Sequence, residues 1–148
     1  MIDYQIEFLR LLEGVRTDFL IRLFECITML AEETLMIFAV VTLWFAVDKR
    51  IAQKLFFVTA FSLGVNGIIK NFVKMPRPFA GGKVSCVREY TATGYSFPSG
   101  HTQNFATWST LIALKIKKLS VWILTAVLII LVAFSRMFLG AHYPMDVI

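Results

Sequence analysis

The fold class predicted for this 148-residue chain is an all-α bundle that crosses a membrane several times. Three observations predict it. Hydrophobic residues make up 57% of the chain and charged residues only 17%, fewer than a water-facing surface needs. Mean hydropathy is +0.70. The apolar residues also gather into separate stretches of about 20 residues, the length a helix needs to cross the hydrocarbon core.

Residues 1–148 read as a single domain. The segment 1–24 alternates Ile6, Phe8, Leu9, Leu12, Phe19 and Leu20 with Glu7, Arg10, Glu13, Arg16, Asp18 and Arg22. Its charges rule out a lipid-facing span. An amphipathic helix in the headgroup region, broken near Gly14, fits this pattern; a helix packed on the bundle fits it equally. The start of the chain lacks the basic residues and continuous apolar run of a cleavable signal.

Four spans are predicted at about 27–47, 51–73, 98–114 and 119–139. The first ends at Asp48-Lys49-Arg50; Glu32 and Glu33 near its start suit the positive end of a helix at the interface, the alternative being contact with the active-site side. In the second, Ser62, Gly64 and Gly67 form a small face for close helix packing. The third ends at Lys115, Lys117 and Lys118, and the fourth at Gly140. A last helix begins at about 143 and is cut off. Residues 74–97, with Pro76, Pro78, Gly81, Gly82 and Gly94, form the one long irregular loop, and such loops are commonly functional. Cys26 and Cys86 predict no disulfide.

This span count brings three polar clusters to one membrane face: Lys70 with Arg77-Pro78, Pro98-Ser99-Gly100-His101, and Ser135-Arg136 with His142 and Asp146. The opposite face carries Lys49, Arg50, Lys54, Lys115, Lys117 and Lys118. Basic short loops mark the cytoplasmic side, so the clusters face the extracytoplasmic side, with the cell membrane as the expected location. The net charge of +5 is thereby assigned to topology and anion binding, not to nucleic acid.

The clusters supply the parts for handling a phosphate. Pro76 and Pro78 fix the backbone around Arg77, aiming its planar fork at phosphate oxygens. Alone, Lys70 is an ordinary snorkelling cation at a span end. Pro98-Ser99-Gly100 reads as a helix start, where free backbone N–H groups attract anions, although Pro-Ser there is also plain capping. His101 then stands at the mouth of the site, suited to protonating a leaving oxygen. His142 and Asp146, four residues apart, share one face if helical, and a carboxylate on one ring nitrogen leaves the other basic. A metal is the competing use of such a pair, but two histidines among three cations fit phosphate better. These residues alone do not choose between His101 and His142 as nucleophile.

Lys70-(six residues)-Arg77-Pro78, Pro98-Ser99-Gly100-His101 and Ser135-Arg136-(five residues)-His142-(three residues)-Asp146 resemble, in order and spacing, the three-part signature of the type 2 phosphatidic acid phosphatase (PAP2) superfamily. The resemblance implies a metal-independent membrane enzyme, needing no cofactor, that hydrolyses a lipid phosphate or diphosphate through a phosphohistidine. It implies His142 as nucleophile, Asp146 as its orienting partner and His101 as acid, then base. Lys70, Arg77, Ser99, Gly100 and Arg136 would hold the phosphoryl oxygens. It also implies a further membrane helix after Asp146, so that the 148 residues would be a truncated form, active or inactive on its own.

Two other functions use the same residues: a phosphotransferase that passes the phosphoryl group to an acceptor other than water, and a non-catalytic membrane protein that binds lipid phosphates. The related vanadium haloperoxidases are soluble, which the apolar spans argue against. Phosphatidate, phosphatidylglycerol phosphate and polyprenyl diphosphates all suit the site, and Tyr90, Tyr95 and Phe97 either contact the headgroup or anchor the loop at the interface. Membrane lipids are the expected partners; the sequence does not specify an oligomeric state.

Overall fold

A computed structural model describes residues 2–148. Six helices follow one another: α1 (Ile2–Gly14), α2 (Asp18–Met29), α3 (Glu33–Ala46), α4 (Lys49–Val73), α5 (Gly100–Ile116) and α6 (Leu119–Phe138). Short 3₁₀ turns lie at Glu89–Thr91 and Pro144–Asp146, and no strand occurs among the described residues.

Local chemistry sets the helix ends. Thr17 caps α2, its hydroxyl accepting from the Leu20 N–H at 3.3 Å. Asp48 caps α4 by accepting from the Arg50 N–H at 2.8 Å, and Ser99 caps α5. Gly140 turns the chain after α6 at φ +77°, with the Ala141 N–H bonded to the Arg136 carbonyl at 3.0 Å. A Cβ there would lie 2.2 Å from the Ser85 carbonyl oxygen, so only glycine fits this close approach.

Two helices, α4 and α6, are long and apolar enough to cross a membrane alone. The predicted span 27–47 is divided: α2 runs to Met29, α3 starts at Glu33, and the two meet at 42°, together matching a third, bent span. Residues 18–24, expected within an interfacial segment, therefore belong to α2. The remaining predicted span is α5, 17 residues packed against both α4 and α6. Phe38, Phe45, Phe57, Phe61, Phe72 and Ile130 all point outward, a surface suited to lipid and not to water.

With lipid outside, helix association relies on close packing and polar contacts. Between α4 and α5 the Ser62 hydroxyl donates to Asn104 Oδ1 at 3.0 Å, Asn66 Nδ2 donates to Gln103 Oε1 at 2.8 Å, and Gln103 Nε2 donates to the Ser62 carbonyl at 2.9 Å. These side chains replace the expected glycine contact: a Cβ added at Gly64 or Gly67 would meet nothing within 4 Å. Phe24 of α2 packs on Phe134 and Phe138 of α6, with ring centroids 5.3 and 4.4 Å away.

Helix α1 is bound to the bundle. Its Ile6 and Leu9 bury against Val84 and Tyr143, and Arg10 Nε donates to the Lys83 carbonyl at 3.0 Å. Arg16, in the break after α1, donates to the carbonyls of Phe138 at 2.8 Å and Ser85 at 3.0 Å. The loop 74–99 is thereby held from outside by the N-terminal segment and from inside by the end of α6.

Candidate active site

The end of α4, the start of α5 and the end of α6 lie at one end of the bundle, closed over by the loop. Arg77 is buried there and fully engaged. Its Nε donates to the Gly94 carbonyl at 3.1 Å and its Nη2 to the Thr93 carbonyl at 2.7 Å. Its Nη1 donates to the Ala141 carbonyl and lies 3.0 Å from His142 Nε2.

That last contact fixes the His142 tautomer. A guanidinium only donates, so Nε2 accepts and the ring proton sits on Nδ1. Nδ1 faces Asp146 Oδ2 at 3.3 Å, completing an oriented imidazole with its lone pair on Nε2. Burial, then the charges of Arg77, Arg136 and Lys70, hold the His142 pKa well below its ordinary value. The ring is thus held neutral, with its Nε2 lone pair directed at Arg77 Nη1.

Asp146 is held as firmly. Its Oδ2 also accepts from the Ser96 hydroxyl and from the Tyr143 N–H at 2.8 Å, and its carbonyl accepts from the Ser99 N–H at 2.8 Å. Burial pushes its carboxyl pKa up, while the Ser96 and Tyr143 donors oppose that shift. His142 and Asp146 do not meet through the expected helix face. They meet through the 3₁₀ turn at Pro144–Asp146, which returns the carboxylate to the His142 ring.

Arg136 is fully buried. Its Nη1 donates to Thr28 Oγ1 of α2 at 3.0 Å, while Nε and Nη2 have no protein partner. His101 Nε2 is likewise buried without a partner. Lys70 Nζ donates to the Tyr95 carbonyl at 2.8 Å. Ser99 stands at the α5 start, as expected: its hydroxyl accepts from Thr102 N and Oγ1 and its N–H donates to the Asp146 carbonyl. Gly100 sits at the first position of α5, beside Asn66.

The structure adds residues that spacing alone did not mark. Ser96 and Thr28 hold Asp146 and Arg136. Arg88 of the loop is buried, pairs with Glu32 Oε1 at 2.7 Å, lies over the Tyr90 ring, and leaves Nη1 without a protein partner. Its charge bears on both His101 and Arg136. Glu32, expected to serve the start of a helix, makes no side-chain cap bond and ties the α2–α3 bend to the site. No three His, Cys, Asp or Glu side chains converge as metal ligands among the described residues.

Buried donors thus gather around an oriented imidazole at one end of a membrane bundle, an arrangement suited to an anion. The PAP2 superfamily profile matches residues 52–148, and the chain belongs to that superfamily. It is 36% identical over 92 residues to an undecaprenyl-diphosphatase of Sulfolobus acidocaldarius, an alignment covering 62% of this chain and 43% of that protein. The chain thus spans less than half the length of that relative. The fold resembles that of a transmembrane PAP2 type phosphatidylglycerolphosphate phosphatase from Bacillus subtilis, with TM-score 0.82 and 21% identity, covering 98% of this chain and 76% of that one. It also resembles LpxE of Aquifex aeolicus, with TM-score 0.77 and 23% identity, covering 95% and 84%.

Proposed function

We propose that this chain carries the active site of a metal-independent membrane phosphatase that hydrolyses a lipid phosphate or diphosphate through a phosphohistidine. The observation that supports it most is the neutral, Asp146-oriented His142 with its Nε2 lone pair directed at the Arg77 guanidinium.

In this reading Arg77 Nη1 leaves Nε2 for a phosphoryl oxygen when the substrate arrives. Nε2 attacks phosphorus, the N–P bond forms, and the P–O bond to the lipid breaks. His101, in its protonated form, gives its proton to the departing oxygen. It then takes a proton from water as that oxygen attacks phosphorus and the N–P bond breaks, releasing phosphate and restoring His142. Lys70, Arg77 and Arg136 stabilise the equatorial oxygens. Gly100 lets the substrate reach the α5 N-terminus, and Ser99 acts mainly by holding that helix start and Asp146 in place. Arg88, with Nη1 free, suits the second phosphoryl group of a diphosphate. The similarity to an undecaprenyl-diphosphatase supports a diphosphate substrate.

The site faces the extracytoplasmic side of the cell membrane, because the basic segments 49–54 and 115–118 mark the other end as cytoplasmic. The test is phosphate release in detergent micelles, with EDTA present, from a panel of lipid mono- and diphosphates. Release lost in His142→Ala and faster from diphosphates supports the reading. Release that requires added magnesium overturns the metal-free mechanism. Substrate binding without turnover leaves a lipid-phosphate-binding protein, and transfer to an alcohol in place of water identifies a phosphotransferase.

A further inference from the structure

At the end of the bundle opposite the active site, α3, α4 and α5 diverge around a groove of about 670 Å³. Its walls are apolar and its rim is basic. Leu43, Leu55 and Ile112 line its inner part, and Arg50, Lys54 and Lys115 line its mouth. The same three apolar residues line a smaller cavity of about 50 Å³ deeper in the bundle, so the groove continues as a crevice toward Trp108.

The cations at the mouth are not neutralised by the protein. Arg50, Lys54 and Lys115 are exposed, and none forms an ion pair among the described residues. The one carboxylate at the rim, Asp48, spends Oδ1 on the Arg50 and Ile51 N–H groups as the cap of α4. Topology alone would be served by cations anywhere on this face. Here they come from two helices and surround the opening of an apolar crevice.

We infer that this groove binds one anionic phospholipid, its phosphate held by Arg50, Lys54 and Lys115 and an acyl chain laid along Leu43, Leu55 and Ile112. The volume lies within the range of small-ligand sites, about 300–1,000 Å³. Basic pockets between membrane helices take anionic headgroups because each cation near the surface favours the charge and the chain stays in apolar surroundings. The inference is independent of what the opposite site hydrolyses.

The test is native mass spectrometry of the full chain, released from detergent and titrated with dioleoyl phosphatidylglycerol or dioleoyl phosphatidylcholine. The expected result is retention of one phosphatidylglycerol in preference to phosphatidylcholine. The triple variant Arg50→Gln/Lys54→Gln/Lys115→Gln should weaken phosphatidylglycerol binding by about tenfold or more while leaving phosphatidylcholine unchanged. The pair Lys54→Arg/Lys115→Arg keeps the charge and should keep the binding, which separates lost recognition from lost folding. Saturating vanadate, and Arg136→Gln at the opposite end, should leave the retained lipid in place. Equal retention of the two lipids would overturn the inference. So would displacement by vanadate, or a dimer mass that disappears in the triple variant and marks the groove as a contact between copies of the chain.

Discussion

The two ends of this bundle use similar side chains in opposite ways. At one end Arg77, Arg88 and Arg136 are buried and held by carbonyls, a hydroxyl and a carboxylate, with Arg77 against His142. At the other, Arg50, Lys54 and Lys115 are exposed and without ion pairs around an apolar groove. Buried cations are unfavourable unless partners or an anion compensate them. The first end therefore supplies a rigid cradle suited to chemistry, and the second an adaptable rim suited to recognition. The contrast teaches that exposure and partners separate the two roles, while residue type does not.

That contrast breaks most visibly at the imidazole. His142→Ala should lower turnover by at least on the order of 10⁴-fold, read as phosphate release, because no other side chain can take the phosphoryl group from the oriented position. His101→Ala should lower it by about 10²–10⁴-fold, the range of general acid–base catalysis. A leaving group of low pKa should recover much of that loss, since it departs without a proton.

Gly140→Ala tests how far the site depends on its frame. The new methyl would meet the Ser85 carbonyl while the residue adopts a left-handed backbone, so thermal unfolding in detergent should show a loss of about 1–3 kcal/mol. Turnover should fall with it, because Ser85 carries the contact from Arg16 to the loop.

A smaller effect concerns pH. Burial holds the folded-state His142 pKa below its unfolded value of about 6.5. The unfolded chain therefore takes up a proton that the folded ring refuses, and stability falls as pH drops below about 6.5. The melting temperature of the native chain should decline between pH 7 and pH 5 more steeply than that of His142→Gln. The smallest effect belongs to the opposite end: Lys54→Gln should change turnover in micelles by less than about twofold, as expected of an exposed charge remote from the reacting atoms.

Much of this arrangement was legible in the sequence. Hydropathy separated the membrane segments, and counting them brought Lys70, Arg77, His101, Arg136, His142 and Asp146 to one end. The bend at residues 30–32 was hidden because the apolar character runs on across it while the backbone turns by 42°. Glu32 reads from the sequence as a helix-start carboxylate or as a contact on the active-site side, and only tertiary folding selects the second by bringing it to Arg88. The i, i+4 spacing of His142 and Asp146 suggested a helix, but Pro144 and the Tyr143 N–H close a 3₁₀ turn that achieves the same contact. Ser96 and Thr28 carried no local signal, since hydroxyls in a loop or on an apolar helix have many uses.

The most direct test of the central claim is to trap the covalent intermediate. Radiolabelled lipid phosphate would be mixed with the chain in EDTA, quenched in alkali within milliseconds, and the labelled peptide mapped by mass spectrometry. The account predicts a phosphoryl group on Nε2 of His142, accumulating further in His101→Ala when the leaving group departs without a proton. A label on His101, or rapid turnover with no labelled histidine, would contradict it.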